Sequence, residues 1–427
     1  MKSIFLTIVF SLLLSAPLTC QEKWTCYTDK SELLMDNQLV LGAFEYIDGS
    51  MWVVTDRGVD IFKDGKWNTI NKKTDLLKNQ IGSYMVDSQN RVWIGSGSPD
   101  MFWNGYVARE LYKGGVIIYE EGEWKPTFTK DMGINVPVIN KMFEASNGDI
   151  WIAASANAAN QGMSAGIFRK GALLHLNIET GEWTVYRQKD MPCRECNFVK
   201  VFYEDENGRV YFIAAYGIFY FEGGSFHVIE KTDNFNYRYP SMIVSRFKDS
   251  KNKQWLGSLP LRIYNYDGQN WRAFTNKHGL KIKNGHPYGF VETSDNRIIM
   301  SSTNGLYTYD GENQWVHEKI NYLFGNSFID KQGRLWIPTM KGLIIRDGAN
   351  ETMHKDIPKV VHIFEDKNEG IWALSKNNGA WRLKDGEWQQ FGKDNQLPSD
   401  RVGLVHISDN GTVWLNTNKG ICSCEYD

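Results

Sequence analysis

The sequence lacks the long segments that would place a protein in a membrane or on a nucleic acid. The 427-residue chain has no apolar run long enough to cross a bilayer as a helix, since even the N-terminal run Ile4–Leu14 is too short and no later segment reaches its length. It has no long basic stretch, and its formal net charge is -2. Nucleic acids and anionic membrane surfaces are therefore poor candidate partners. Helical periodicity is missing too, which disfavours an α-helical architecture.

The motifs of common catalytic and metal sites are missing as well. The 8 histidines show no His-x-His or His-Glu-x-x-His spacing, and no twelve-residue EF-hand loop occurs. A Gly-x-Ser-x-Gly nucleophile elbow and a Walker-type loop are also absent. We therefore predict no metal, no cofactor and no catalytic residues, and we favour binding over catalysis. Because sites also assemble from residues far apart in sequence, an enzyme remains an alternative.

The N-terminus has the pattern of an export signal. Lys2 precedes the apolar run Ile4–Leu14, and small or turn-forming residues follow. We predict that residues 1–20 are a signal peptide and that residues 21–427 form the mature protein, located in the periplasm or outside the cell. The residues before Cys20 make a poor lipobox, so cleavage without an anchor is favoured, with lipid attachment through Cys20 as the alternative.

A short β-type run, centred on an aromatic or aliphatic residue, recurs along the whole chain. The intervals are roughly 36 to 60 residues, a period typical of a β-propeller. The central tryptophans, such as Trp93, Trp151 and Trp336, are expected to pack between blades. The nine runs are Met51–Val54, Val92–Gly95, Ile150–Ala153, Val210–Ile213, Gln254–Gly257, Ile298–Ser301, Leu335–Pro338, Ile371–Leu374 and Val413–Asn416.

Residues 44–70 show how one repeat is built. Four short apolar segments alternate with turn residues, and both the first and the last turn contain Asp-Gly, at Asp48-Gly49 and Asp64-Gly65. Asp-Gly between alternating apolar runs is a strong hairpin signal because glycine supplies the positive φ of such turns. The repeat is therefore predicted to be a four-stranded antiparallel blade, and the chain an all-β protein with a single propeller domain.

The repeat resembles a known family. Its pattern, Glu-Asp-x-x-Gly-x-(Leu/Val)-Trp-Ile-Gly-(Thr/Ser)-x-x-Gly-(Leu/Ile), looks like the two-component-regulator propeller repeat, and the resemblance covers essentially all of the mature chain. Those repeats form the extracytoplasmic sensor domains of bacterial hybrid sensor kinases, and they also occur in stand-alone exported proteins. The resemblance implies a propeller fold and a sensor-like or adaptor-like role.

The two ends of the chain complete one another. Residues 24–28 (Trp-Thr-Cys-Tyr-Thr) match the fourth strand of other units, whereas residues 420–424 match a third strand. One blade is therefore stitched from both ends, which closes the ring without a free edge. Counting this blade gives nine blades of about 45 residues, with eight as the alternative.

The cysteines suggest two disulfides. The register of the first unit, transferred to the closing blade, puts Cys422 opposite Cys26, and export permits oxidation. The pair is either a disulfide or two reduced cysteines in a packed sheet. Cys193 and Cys196 form a Cys-x-x-Cys for which a local disulfide is favoured over redox catalysis.

The long connections point to one face of the ring. In a four-stranded meander the second-to-third and fourth-to-first connections share a face, and two enlarged ones lie near residues 98–113 and 155–169. Aromatic rings stack on sugars, and amide or guanidinium groups hold hydroxyls and carboxylates. We predict that a glycan or another small polar ligand binds there. The candidate binding residues are Trp103, Tyr106, Arg109, Asn160, Arg194, Tyr237, Arg238, Tyr239 and His286.

Other interpretations of this face remain open. The aromatic residues could simply pack an enlarged loop against the ring. A polysaccharide lyase or hydrolase could use His286, Tyr288, Tyr239 or Arg238 as base and charge-neutralising groups. An adaptor could use the same surface to contact another envelope protein. We expect the protein to be a monomer.

Overall fold

The computed structural model confirms a nine-bladed all-β propeller. Its described residues form 36 strands in nine four-stranded antiparallel sheets. Each blade is a meander, and the blades follow one another along the chain. The described residues are 22–28, 40–71, 81–96, 115–127, 137–156, 172–192, 199–214, 217–229, 243–259, 261–281 and 285–426.

Every blade except the last takes four consecutive strands of the chain. Blades 1 to 3 comprise β2 (Val40–Glu45), β3 (Met51–Thr55), β4 (Gly58–Lys63) and β5 (Lys66–Asn71); β6 (Ile81–Val86), β7 (Val92–Ser96), β8 (Val116–Glu120) and β9 (Glu123–Thr127); β10 (Pro137–Glu144), β11 (Ile150–Ala156), β12 (Ala172–Leu176) and β13 (Trp183–Arg187). Blades 4 to 6 comprise β14 (Val199–Glu204), β15 (Val210–Ala214), β16 (Gly217–Glu222) and β17 (Ser225–Val228); β18 (Ile243–Lys248), β19 (Gln254–Ser258), β20 (Arg262–Tyr266) and β21 (Trp271–Phe274); β22 (Pro287–Glu292), β23 (Ile298–Ser302), β24 (Gly305–Tyr309) and β25 (Trp315–Glu318). Blades 7 to 9 comprise β26 (Phe328–Ile329), β27 (Leu335–Thr339), β28 (Gly342–Asp347) and β29 (Asn350–His354); β30 (Val360–Glu365), β31 (Ile371–Ser375), β32 (Ala380–Lys384) and β33 (Glu387–Phe391); β34 (Val402–Ile407), β35 (Val413–Thr417), β36 (Gly420–Tyr426) and β1 (Glu22–Tyr27).

The first strand of each blade lies innermost. First strands of neighbouring blades contact one another, as β6 does with β10 and β18 does with β22. The ring closes where β34 of the last blade contacts β2 of the first. The central aromatic residues pack between blades as predicted. Trp151 is 1% exposed, and its ring centroid lies 5.0 Å from that of Phe212 in the next blade.

The closing blade combines both ends of the chain. β1 pairs antiparallel with β36, and Cys26 lies opposite Cys422, as the register predicted. The two sulfur atoms are bonded, at 2.10 Å. This bond joins residues that are 396 positions apart in sequence. It ties the N-terminal strand to the blade that ends the ring.

The same tight turn follows the first strand of every blade. In all nine blades the residue three positions before the central one has a positive φ, which glycine and asparagine adopt most readily. In blade 1 the first strand ends at Glu45, and the Tyr46 N–H of the turn donates to the Ser50 carbonyl. The nine residues are Gly49, Asn90, Gly148, Gly208, Asn252, Asn296, Gly333, Glu369 and Gly411.

A buried carboxylate fixes this turn to the central tryptophan. In blade 7, Asp330 Oδ1 accepts the N–H groups of Gln332 and Arg334. Its Oδ2 accepts the indole N–H of Trp336 at 2.8 Å. The side chain of Arg334 donates to the same oxygen and lies over the indole ring. One carboxylate therefore holds the turn, the tryptophan and a cation together. The other aspartates that bind the indole of their own blade in this way are Asp87, Asp249 and Asp366.

Blade 8 supplies the cation from another strand. Gly370 occupies the position of Arg334, and Arg382 on β32 sends its Nε to within 2.8 Å of Asp366 Oδ2. Both side chains are buried, at 2% and 0% exposure. Burial alone would raise the pKa of Asp366, but Arg382 and the hydrogen bonds of the turn outweigh it and hold that pKa below its ordinary value.

Blades 9 and 4 vary this contact, the first by a serine in place of the aspartate and the second by a tyrosine in place of the tryptophan. In blade 9 the indole of Trp414 donates to Ser408 Oγ at 3.0 Å. In blade 4 the central residue is Tyr211, whose hydroxyl lies 2.8 Å from that of Tyr266 in the next blade. Tyr266 in turn donates to Asp205 at 3.0 Å. Burial is the main cause that raises the pKa of Tyr266 to about 12, so this hydroxyl remains a donor at neutral pH.

The turn of blade 8 allows a test of backbone strain. Glu369 is exposed and holds φ at 63°, where a non-glycine, non-asparagine residue is disfavoured. We expect Glu369→Asn to raise the free energy of unfolding by about 0.5–1 kcal/mol, measured by urea denaturation. Asn252→Glu, at the equivalent turn of blade 5, is the reciprocal control and should lower it. Equal stabilities of both variants and the wild type would contradict the expected strain.

The buried ion pair of blade 8 allows a second test. Arg382→Ala leaves the Asp366 carboxylate buried without its guanidinium, and should cost about 3–5 kcal/mol. Gly370→Arg combined with Arg382→Ala moves the cation to the position that Arg334 has in blade 7, although the new Cβ atom would stand 2.7 Å from Asp366 Oδ2 and that carboxylate must shift. This double variant should therefore recover part of the loss in urea denaturation. If it is no more stable than Arg382→Ala alone, the two positions are not equivalent.

Candidate functional site

The second-to-third and fourth-to-first connections lie on one face, as predicted. The N–H of Ile81, at the start of blade 2, donates to the carbonyl of Asp56 in the second-to-third connection of blade 1. Between blades 7 and 8, the N–H of Lys359 donates to the Thr339 carbonyl. We call this surface the connection face, and the opposite surface, which carries the first turns, the turn face.

Most of the predicted binding residues lie outside the described residues. They are Trp103, Tyr106, Arg109, Asn160, Arg194, Tyr237, Arg238 and Tyr239, and the same holds for Cys193 and Cys196. His286 is described, and its side chain is exposed on the connection face. The backbone N–H of His286 donates to Thr303 Oγ1 at 3.0 Å, and the backbone carbonyl of His286 accepts the N–H of Thr303 at 3.0 Å.

Tyr322 is the most unusual described residue of the connection face. It is 57% exposed and holds φ at 63°. Its carbonyl accepts the N–H of Met340 at 2.8 Å, and the ammonium of Lys341 lies 4.8 Å from its ring centroid. Met340 is 42% exposed. An aromatic ring, a cation and a methionine are thus presented to solvent side by side.

The position of Tyr322 recurs in other blades with different residues. A positive-φ residue followed by a buried leucine is found at Gly279-Leu280, Tyr322-Leu323 and Gln396-Leu397. At Gly279 a Cβ atom would collide with the Trp315 carbonyl, so glycine is required there. Tyr322 carries a large exposed side chain instead and accepts a backbone strain of order 1–3 kcal/mol. Strain at an exposed aromatic residue is typical of functional positions.

Tyr288 connects His286 to this region. It lies two residues after His286, and its hydroxyl donates to the Leu323 carbonyl at 3.4 Å. Burial raises the pKa of Tyr288 above its ordinary value. A half-buried phenol that donates to a backbone carbonyl is a poor general base. The arrangement therefore gives no support to Tyr288 as the base of a lyase.

A histidine–aspartate pair elsewhere in the ring has a structural position. His175 Nε2 lies 2.8 Å from Asp149 Oδ2, and the histidine ring stacks on Trp151 at a centroid distance of 4.1 Å. Both side chains are largely buried inside blade 3. Within the part of the chain that the structure describes, no group of three or more His, Cys, Asp or Glu side chains is placed to hold a metal ion.

The turn face carries carboxylate clamps between neighbouring blades. The N–H and hydroxyl of Ser88 donate to Glu144 of the next blade at 2.8 and 2.6 Å. Ser146 makes the same pair of bonds with Glu204. The clamp glutamate stands seven positions before the central residue of its blade. Related bonds join Ser250 to Glu292, Lys331 to Glu365 and Asp409 to Glu45.

The boundary between blades 4 and 5 cannot form this clamp. The two equivalent positions hold Glu206 and Lys248, so a cation stands where five other boundaries have a glutamate. A pocket of about 700 Å³ lies here at the inner edge of blades 2 to 5. Its walls include Glu144 and Glu204 on one side and Arg246 and Lys248 on the other.

Sequence reasoning missed both of these features, although the repeats carried a signal for each. Alignment of the repeats places Tyr322 where another blade has Gly279, and it places Lys248 where five blades have glutamate. A residue that breaks a repeat without a structural gain is a candidate for function.

No family model and no curated protein matches the sequence. The chain is similar to many solved structures, of which three follow. The extracellular domain assigned to the hybrid two-component system BT3049 from B. thetaiotaomicron is 16% identical, with 90% of this chain and 56% of that chain covered and a TM-score of 0.39. The extracellular domain of BT4673 from the same organism is 14% identical, with 88% and 58% covered and a TM-score of 0.35. PorZ, a surface component of the type-IX secretion system of Porphyromonas gingivalis, is 13% identical, with 89% and 57% covered and a TM-score of 0.40.

The chain spans less than two thirds of the length of each of these neighbours. Among the described residues, none belongs to a helix with the length and apolar character needed to span a membrane.

The strain at Tyr322 predicts an unusual response to substitution. Tyr322→Gly removes an exposed ring and relieves the strain of the positive φ, which stabilises the fold. Two losses oppose this gain, because glycine loses more conformational entropy on folding and the contact of the ring with Lys341 disappears. We expect the free energy of unfolding to stay within about 1 kcal/mol of the wild-type value, measured by urea denaturation. Gln396→Gly, at an equivalent site, is the control. A loss above about 2 kcal/mol for Tyr322→Gly would show that the ring is a packing residue.

Proposed function

We propose that the protein is an exported, non-catalytic β-propeller that binds a carbohydrate or another polar organic molecule on its connection face, in a sensor-like or adaptor-like role. The observation that carries this proposal is Tyr322, an exposed aromatic residue on a strained backbone beside Lys341. A flat ring can stack on the apolar face of a sugar, while the ammonium can bind its hydroxyl or carboxylate groups.

The surrounding residues support the same location. His286 is exposed on this face, and Tyr288 connects it to the Leu323 backbone beside Tyr322. The predicted binding residues Trp103 and Tyr237 belong to connections that the meander order assigns to the same face. In our proposal they extend the binding surface around the ring.

Export is supported by the bond between Cys26 and Cys422. Structural disulfides persist in oxidising compartments and are rare in the cytosol. The signal peptide at residues 1–20 and the soluble, cleaved form belong to the same proposal, with lipid attachment through Cys20 as its alternative.

A glycan array tests the proposal. Wild type should bind one group of glycans. Tyr322→Gly should lose at least tenfold in affinity, because the loss of one stacking contact is expected to cost about 1.4 kcal/mol of binding free energy, which is a factor of ten in Kd. Since this variant is expected to fold normally, its loss cannot be attributed to unfolding. Trp103→Ala tests the predicted extension of the site. Val316→Ala, on the outer strand of blade 6 and 64% exposed, is the matched control and should bind like wild type.

Two results would contradict the proposal. One is an array in which wild type binds no glycan, and the other is wild-type binding by both Tyr322→Gly and Trp103→Ala. If deletion of residues 98–113 instead releases a co-purifying envelope protein, the adaptor interpretation is the correct one.

A further inference from the structure

The charges of the turn-face pocket are segregated. Glu144 and Glu204 come from blades 3 and 4, and each accepts two hydrogen bonds from a serine of the preceding blade. Arg246 and Lys248 come from blade 5 and are both exposed. Because they are two residues apart on β18, they project from the same side of the strand. The pocket therefore has an anionic wall and a cationic wall.

The carboxylates are fixed in place before any ligand arrives. Each serine clamp orients its glutamate with one N–H and one hydroxyl, at distances between 2.6 and 2.8 Å. A carboxylate oxygen retains a second lone pair after accepting one hydrogen bond. Glu144 and Glu204 can therefore each accept a further bond from a bound cation without breaking the clamp.

The cationic wall lies at one of the boundaries that lack the clamp. The other boundaries without it carry the apolar residues Val86, Ile329 and Ile407 at the glutamate position, whereas this one carries Lys248. At the clamped boundaries the equivalent of Lys248 is a glutamate that is occupied by its neighbour. At this boundary the side chain that would supply the hydroxyl is Glu206, and the acceptor is replaced by an ammonium. The substitution leaves the ring intact and changes the charge of the pocket wall.

Aromatic side chains form the remaining wall. Phe143, Tyr203 and Phe247 precede the clamp position on their strands, and all three are half-buried and line the pocket. The volume of about 700 Å³ suits an organic molecule that carries charged groups rather than a single ion. The two walls carry two formal charges of each sign, so a simple anion would be attracted by one wall and repelled by the other.

We infer that this pocket binds a zwitterionic molecule of the size of a short peptide, with its ammonium group on Glu144 and Glu204 and its carboxylate on Lys248 and Arg246. The apolar part of the ligand lies against Phe143 and Tyr203. This site is on the opposite face from the proposed glycan surface, so it is independent of that proposal.

Isothermal titration calorimetry with tripeptides tests the inference. The probes are Ala-X-Ala peptides with X aromatic, aliphatic, polar or charged, each with free termini, with an acetylated N-terminus or with an amidated C-terminus. The full chain should bind at least one free peptide, and blocking either terminus should weaken binding by roughly tenfold or more, since each modification removes one charge-assisted contact.

Three variants connect the binding to the pocket. Lys248→Gln should weaken the binding of the free peptide by roughly tenfold or more. Lys251→Gln removes an exposed lysine from the same turn that does not line the pocket, and should bind like wild type. Glu206→Ser combined with Lys248→Glu installs the serine–glutamate clamp that three other boundaries have, and should abolish binding while keeping the melting temperature at or above that of wild type.

Four outcomes would overturn the inference. The first is that no free peptide binds. The second and third are that the acetylated peptide binds as well as the free one, so that the pocket recognises only an anion, or that the amidated peptide does, so that the pocket recognises only a cation. The fourth is that Lys248→Gln and the clamped double variant bind like wild type, so that the peptide binds elsewhere.

Discussion

A buried carboxylate at the first turn of the blade is the interaction on which the rest of the structure depends. It accepts the turn N–H groups on one oxygen and the indole N–H of the central tryptophan on the other, as Asp330 does for Gln332 and Trp336. The turn sets the register of the first two strands, and the tryptophan fills the space between blades. Blades 2, 5, 7 and 8 have this arrangement. In blade 9 Ser408 accepts the bond from the indole, in blade 1 Ser50 does, and in blade 4 Asp205 receives a tyrosine hydroxyl instead.

Packing between blades uses a second carboxylate, one residue before the first. It lies at the turn face and accepts hydrogen bonds from the turn of the preceding blade, as Glu144 does from Ser88. Because charge-assisted hydrogen bonds of this kind are geometrically specific, they fix the order of neighbouring turns more than they add stability. Where the glutamate does not have to bind the turn of the preceding blade, another residue type can take its place. Lys248 stands at such a position.

The sequence predicted the scaffold well and the sites poorly, for physical reasons. The nine runs, the strand at Trp24 and the Cys26–Cys422 register follow from periodicity two and from turn chemistry, which are local. The turn-face pocket combines Glu144 with Lys248, which are brought together only by the curvature of the ring. Tyr322 was missed because the tyrosine gains its meaning only from the positive φ of its position, which became visible when the repeats were aligned on the structure. Of the nine predicted binding residues, only His286 lies among the described ones.

Buried carboxylates that hold the central tryptophans by their indole N–H groups should slow the exchange of those protons with solvent. Hydrogen exchange of the indole resonances, followed by NMR and assigned by substitution, tests this directly. Trp93, Trp255, Trp336 and Trp372 donate to aspartates at 2.7 to 2.8 Å, whereas in the described part of the chain Trp24, Trp67 and Trp388 have buried indole nitrogens without an acceptor. We predict that the first four exchange at least roughly tenfold more slowly than the other three. Equal rates in the two groups would contradict the role assigned to the carboxylates.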